Sequence, residues 1–400
     1  MIATPIKRDI FTQILPFLGT DNVIVLHGAR QVGKTHLMYY LENYLKDQKQ
    51  PTHYIDLEDS RYLTILDEGV DSFLSYLRTA GFDLTMLSKN HQKLSVFIDE
   101  IQYLEHPSPF LKLIADHHKY LQLIVSGSSS FNLKSKFSDS LVGRTVNFEI
   151  YPLSFSEFCR FRQSPALTPL STTYQEFMAY GGYPKIVLAD SLVLKEKYLQ
   201  QIIDTYVKKD IADLGGVKDI KKFNNLLKIL AAQSGQLLNV AQLGNTCDLA
   251  STTVRHYLAI LEATYIIKLV TPFSTSAKVE VAKTPKIFFY DTGLLQMLWL
   301  QKLQTKAVGN LFETSIFTEL VKKFGVENIY FWRNKNQNEI DFILQTPSGI
   351  LPIEVKYNFD QFVLGKVAPF LTKYHLTNYL VAGLIGQKKS THYLYPWETL

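Results

Sequence analysis

The chain has 400 residues, 46% of them hydrophobic and 20% charged, a balance that excludes a disordered polyelectrolyte and supplies more than one buried core, so about two to four domains are expected. The 42 Lys and Arg residues exceed the 37 Asp and Glu residues by a formal charge of +5, which suits a nucleic-acid partner without requiring one. With only Cys159 and Cys247, neither a disulfide framework nor a cysteine zinc site is available; a reducing compartment, the cytoplasm, is the expected location.

The first nineteen residues lack the apolar core and cleavage site of a signal peptide, and no run approaches the roughly 20 apolar residues of a bilayer span. Membrane insertion is not expected. From Asn22 the pattern alternates short apolar runs (Asn22 to His27, His53 to Leu57, Leu94 to Ile98, Leu121 to Val125) with amphipathic stretches (Thr35 to Leu45, Val70 to Leu77). This is the strand, helix, strand rhythm of a parallel α/β sheet.

Between the first run and the first helix lies Gly28-Ala29-Arg30-Gln31-Val32-Gly33-Lys34-Thr35, followed by His36. Glycines at this spacing let the backbone wrap phosphate oxygens with its N–H groups and a helix N-terminus. Lys34 is expected to reach the β- and γ-phosphates of ATP, and Thr35 to hold Mg²⁺. The run Leu94 to Ile98 ends in Asp99 and Glu100, which suit a second Mg²⁺ ligand and the group that orients or deprotonates the attacking water.

Around Tyr151 the rhythm stops, and Ser154 with Glu157 reads as a capping box that opens a helix. Ser164 to Thr173 reads as a loop, and Tyr180 to Pro184 as a break. Leu192 to Ala232 is helical and lysine-rich. Then a short helix, a turn, a helix over Ser251 to Glu262 and the β-branched run Tyr265 to Val270 resemble a winged helix-turn-helix, with Ser251, Thr252, Thr253, Arg255 and His256 where groove contacts usually lie.

After Pro285, strands over Lys286 to Tyr290, Ile329 to Trp332, Ile340 to Leu344 and Leu351 to Val355 surround a helix over Asn310 to Lys323. Asp341 is followed, after twelve intervening residues, by Glu354 and Lys356, and strand alternation puts these last two on one face. The arrangement resembles the PD-(D/E)xK nuclease core, which implies a second metal and nuclease site where Asp341 and Glu354, with Glu313 as an additional carboxylate, bind the ion and Lys356 orients water. Charges at alternate positions are equally the solvated face of a hairpin, and a nuclease-like fold need not be an active nuclease.

Taken together, the motifs resemble bacterial and archaeal AAA+ ATPases joined to a C-terminal domain of unknown function, over nearly the whole chain. Besides the two ATP-site motifs, the resemblance rests on Ile55 to Asp59, Val125 to Ser129, Gly143-Arg144, Pro152 to Phe158, Gly181 to Pro184, Phe289 to Leu294, Gly309 to Glu313 and Phe331 to Lys335. It implies a sensor at Ser126 and an arginine finger at Arg144, acting on ATP in cis or in a neighbouring subunit; a surface arginine is the alternative.

The expected fold is α/β: an AAA+ P-loop domain (1–160), a helical lid or connector (161–215), a winged-helix-like domain (216–278) and a restriction-endonuclease-like domain (279–400). The expected activity is Mg²⁺-dependent ATP hydrolysis acting on or regulated by DNA. The other reading is a nucleotide-dependent switch that recruits protein partners or its own copies, with an inactive nuclease-like domain.

Overall fold

Apolar residues fill the strands β1 (Val23–His27), β3 (Leu94–Asp99) and β4 (Leu121–Gly127) without alternation, because each is covered on both faces. The computed structural model describes residues 6–127, 141–163, 168–211, 216–274, 284–305, 310–334 and 336–398. Ser128, Ser129, Gly309, Lys335 and the start of the expected loop, Ser164 to Leu167, lie outside these residues. The chain divides into two units, one ending at Tyr151 and one beginning at Pro152.

In the first unit, β2 (Thr52–Asp56) and β5 (Thr145–Glu149) join the three central strands in the order β2-β3-β4-β1-β5, all parallel. Parallel neighbours require crossovers, supplied here by the helices Lys34–Asp47, Ser60–Asp67, Val70–Thr79, Leu84–Lys89 and Pro107–His117. Phe73, Leu77, Leu111 and Ile114 from these helices pack against Val96, Ile98 and Val125 of the sheet. The strand and helix runs expected from Asn22 to Val125 are all present; β5 is additional.

The second unit opens with the helix Phe155–Arg162, whose capping box of Ser154 and Glu157 is formed on both sides. The expected loop from Ser164 to Thr173 needs correction at its end: the chain is helical from Leu170 to Tyr180, burying Tyr174, Phe177 and Met178. Serine and threonine at its start suggested a turn, but the apolar spacing behind them decides for a helix. Leu192–Ile202 continues as a π-helix over Ile203–Asp210.

Helices Ile220–Ala232, Val240–Cys247 and Ser251–Ala263 come next, followed by β6 (Ile267–Val270), which pairs antiparallel with β7 (Lys286–Phe289). After the helices Thr292–Leu300 and Leu311–Phe324 comes a second sheet. Its order is β12 (Tyr393–Leu394), β11 (Leu380–Ile385), β10 (Gly349–Asn358), β9 (Glu339–Thr346), β8 (Ile329–Arg333). The β8-β9-β10 part is antiparallel and the β10-β11-β12 part parallel. Val367 and Phe370 of the helix Leu364–Tyr374 pack with Trp332, Ile340 and Ile343.

Asp291 fastens this unit internally. It caps the helix Thr292–Leu300, taking the Leu294 N–H at 2.8 Å on one oxygen and the Gly182 N–H at 2.7 Å on the other. Burial pushes its carboxyl up to about 6, against the pull of these backbone donors. The break read at Gly181-Gly182 is thus a close approach: a Cβ on Gly181, at φ 75°, would collide with the Asp291 carboxyl. Asp291→Ala leaves two buried N–H groups unsatisfied and is expected to destabilise the second unit by about 2 kcal/mol, read from urea unfolding; a change within error would mean water replaces the cap.

Candidate functional site

The exits of β1, β3 and β4 lie side by side, since the register pairs Leu26 with Ser126 and Ile98 with Val125. In a parallel sheet this edge is where loops converge on a ligand. From His27 the loop turns through Gly28, where a Cβ would strike the Ile150 carbonyl, then through Gln31 at φ 62° and Gly33 at φ 97° into the helix beginning at Lys34. Ala29 and Val32 are buried under the loop, while Arg30, Gln31 and His36 are exposed. Arg8 holds the loop from below, donating to the Val32 carbonyl and to the Tyr151 carbonyl, each at 2.8 Å.

Lys34 is 5% exposed and donates to the carbonyls of Gly28 (3.1 Å) and Ala29 (2.8 Å). Burial lowers it to about 8; Glu100 and Asp99 pull it upward and Arg30 pushes it further down. Beside it, Asp99 is 3% exposed and its carboxylate is crowded with donors. The Thr35 hydroxyl reaches Oδ2 at 2.7 Å and the Tyr54 hydroxyl reaches the same oxygen at 2.8 Å. Oδ1 takes the Ser126 hydroxyl and, at 3.2 Å, the Glu100 N–H.

Glu100 has a left-handed backbone (φ 57°, ψ 48°), and its carboxylate accepts the Gln102 side-chain amide. The structure therefore brings Lys34, Thr35, Asp99, Glu100 and Ser126 together. A hydroxyl and a carboxylate converging beside a buried ammonium are a donor set of the kind Mg²⁺ takes, hard oxygens next to a phosphate cradle.

Arg144 is not among them. Its carbonyl accepts the N–H of Val23 at the entry of β1, about 13 Å along the strand from the loop at the exit. Its Nε is ion-paired with Asp116 at 2.6 Å. Action in cis on a nucleotide in this loop is thereby corrected: β5 runs parallel to β1, so a residue preceding β5 lies at the wrong end of the sheet.

Tyr54, Gln102, Glu58 and Arg8 are neighbours that pattern reading did not single out. Glu58, just past the exit of β2, is raised by burial and by Asp56, Glu100 and Asp99. Its position at the C-terminal end of a parallel strand was a readable signal. Arg8 carries none, because its partners lie far along the chain.

In the second unit, β9 and β10 pair Phe342 with Ile353, so Asp341 faces Glu354 on the next rung. Asp341 Oδ2 takes the Val355 N–H at 2.7 Å and Lys356 Nζ at 3.1 Å, while Lys356 reaches Glu354 Oε2 at 2.7 Å. Glu313 is on the neighbouring helix and meets Lys286 of β7 at 3.2 Å; Lys286 meets Glu339 at 2.6 Å. Burial and then Asp341 push both Glu313 and Glu354 upward, opposed by their lysines. Lys286 was not foreseen as a member of this cluster, because β7 is far from β9 and β10 in the chain.

Residues 20–159 match a family model described as an AAA domain. This segment carries the loop, Asp99 and Glu100, and its similarity supports nucleotide binding of the ATPase type. Residues 171–307 and 308–366 match models each described as a domain of unknown function, DUF8612 and DUF4143.

An uncharacterized protein of Haemophilus influenzae is 27% identical over 364 residues, covering 89% of this chain and 87% of its own. Another, of Methanocaldococcus jannaschii, is 27% identical over 358 residues, covering 86% and 75%. The replication initiator DnaA bound to AMPPCP and single-stranded DNA aligns over 64% of this chain and 86% of its own at 17% identity, with a TM-score of 0.30, too low to carry an argument here. Among the described residues no helix is long and apolar enough to cross a membrane.

The position of Lys34 has a measurable consequence. A phosphate beside its ammonium raises the bound-state pKa above the free value of about 8. ATP binding is therefore expected to take up protons at pH 8 and to weaken as pH rises beyond it. Calorimetry in buffers of different ionisation heat reads the uptake, and Lys34→Met abolishes it; an unchanged uptake in the variant would assign the proton elsewhere.

Proposed function

We propose that the protein is a Mg²⁺-dependent ATPase whose turnover is controlled by DNA held on its second unit. The observation that carries the ATPase part is the convergence of the Thr35, Tyr54 and Ser126 hydroxyls on buried Asp99, beside Lys34. The backbone of Gly28, Ala29, Arg30, Gln31, Val32 and Gly33 wraps the phosphates, with Lys34 on the β- and γ-phosphates and His36 at the helix start. Thr35 and Asp99 hold the metal, which when bound draws negative charge from the phosphate oxygens.

Glu100, oriented by Gln102, takes the proton of the attacking water. As the oxygen bonds to the γ-phosphorus, the bond to the bridging oxygen breaks, releasing ADP and phosphate. Ser126 ties the exit of β4 to Asp99 and to the Glu100 N–H, a sensor's position. Arg144 would have to leave its ion pair with Asp116 to act on a nucleotide bound by a second copy.

The DNA part rests on the helices Ile220–Ala232, Val240–Cys247 and Ser251–Ala263 followed by β6, an order that supports the winged-helix reading of 216–278; the strand that pairs with β6, β7, lies beyond that range. Ser251, Thr252, Arg255 and His256 are exposed on the third helix while Val254, Tyr257 and Leu258 are buried. That is the division a groove-reading helix needs. Within this reading the domains are 1–160, 161–215, 216–278 and 279–400.

A second reading makes the chain a nucleotide-dependent switch for protein partners with an inactive nuclease-like domain. It is favoured by Lys356, which bonds both Asp341 and Glu354.

Hydrolysis measured at low salt with and without single- and double-stranded DNA separates the two. The first reading expects stimulation that Glu100→Gln abolishes and Arg255→Ala with His256→Ala weakens; hydrolysis indifferent to DNA favours the switch. Tyr54→Phe removes one hydrogen bond from Asp99 and is expected to raise the Mg²⁺ half-saturation about fivefold with kcat at saturating Mg²⁺ retained. A fall in kcat at unchanged Mg²⁺ requirement would contradict this role for Tyr54.

A further inference from the structure

We infer that the acidic cluster of the second unit is built around an internal ammonium, that of Lys286, in place of the divalent ion that a nuclease-like domain calls for. The inference rests on the nuclease-like reading only for the expectation that a metal belongs there. Lys286 is 3% exposed, and its Nζ lies 2.6 Å from Glu339 and 3.2 Å from Glu313. Its charge also faces the ring of Phe331, 5.6 Å from the centroid. A buried lysine is retained where carboxylates compensate it, and here two carboxylates from different elements close on one nitrogen.

The fit of a metal fails on the donors. Asp341 Oδ2 is taken by the Val355 N–H and by Lys356, Glu354 Oε2 by Lys356, Glu339 Oε1 by Lys286 and Glu339 Oε2 by Arg333 at 3.2 Å. Lys286, Lys356 and Arg333 thus stand among Glu313, Glu339, Asp341 and Glu354. A dication added to this set meets three fixed positive charges. Among the described residues no group of three or more His, Cys, Asp or Glu is disposed to hold a metal ion. Of the carboxylate oxygens outside these bonds, Glu354 Oε1 is buried without a hydrogen-bond partner, on a residue 2% exposed.

Two consequences follow. The cluster of the natural chain takes no divalent ion, so cutting by a bound metal does not occur there. Removing the ammonium leaves Glu313 without its lysine and Glu339 with Arg333 alone, Asp341 close by, a set of hard-oxygen ligands for Mn²⁺ or Mg²⁺.

The test is Mn²⁺ binding followed by electron paramagnetic resonance on the full chain without nucleotide, with Asp99→Asn used throughout to remove the contribution of the nucleotide site. Lys286→Met in that background is expected to gain one Mn²⁺ per chain, lost again when Glu339→Gln is added, while the background protein binds none. Mn²⁺ bound by the background protein and lost on Asp341→Asn overturns the inference while keeping a metal-dependent nuclease. No Mn²⁺ in either the background protein or a folded Lys286→Met also overturns it, and removes the nuclease-like reading with it. Should Lys286→Met not fold, the background protein and Lys286→Arg, neither of which is expected to bind, carry the decision: binding by either sinks the proposal.

Discussion

The first unit is organised by one buried carboxylate. Asp99 is out of water, and a charge in that position is tolerated only when donors surround it. They come from four elements: Thr35 from the helix after the loop, Tyr54 from β2, Ser126 from β4, and the Glu100 N–H. The three hydroxyl bonds each hold a neighbouring element against β3. A slip of one residue in β3 would turn Asp99 to the opposite face and strand all the donors at once. Strand register and site geometry are therefore the same constraint here.

Such a constraint explains what was readable in the chain and what was not. The phosphate loop is local: its glycines, Lys34 and Thr35 are contiguous, and their spacing alone carries the geometry. Asp99 and Glu100 are legible because a run of apolar residues ends in them. Tyr54 and Arg8 act over separations of 45 and 24 residues, and nothing in their immediate neighbourhood marks them. Arg144 shows the opposite failure. Its motif is local, but its meaning depended on the direction of β5, which runs parallel to β1 and carries the arginine to the entry side of the sheet.

The second unit repeats the lesson with polar groups in strands. Glu339, Asp341, Glu354 and Lys356 alternate as a solvated hairpin face does, so spacing by itself does not distinguish a surface from a site. What distinguishes them is the burial of Glu354 together with Lys286, delivered by β7 from more than fifty residues upstream of Glu339. The glycines at 181 and 182 were likewise visible as a break, but their reason, the backbone drawn against Asp291, lay over a hundred residues away.

The two acidic groups also differ in the kind of donor that satisfies them, and that difference bears on what each can do. Asp99 is met by three hydroxyls and an amide, all neutral. A hydroxyl is both donor and acceptor; Thr35 can rotate its proton away and offer a lone pair, so the same atoms that satisfy the carboxylate in isolation can share a cation with it. Ammonium groups have no lone pair to offer and carry a full charge. Around Asp341, Glu354, Glu313 and Glu339 the compensation is cationic, and admitting a dication requires a lysine to leave a buried position rather than a proton to turn. Neutral donors leave the first carboxylate open to chemistry; fixed charges close the second.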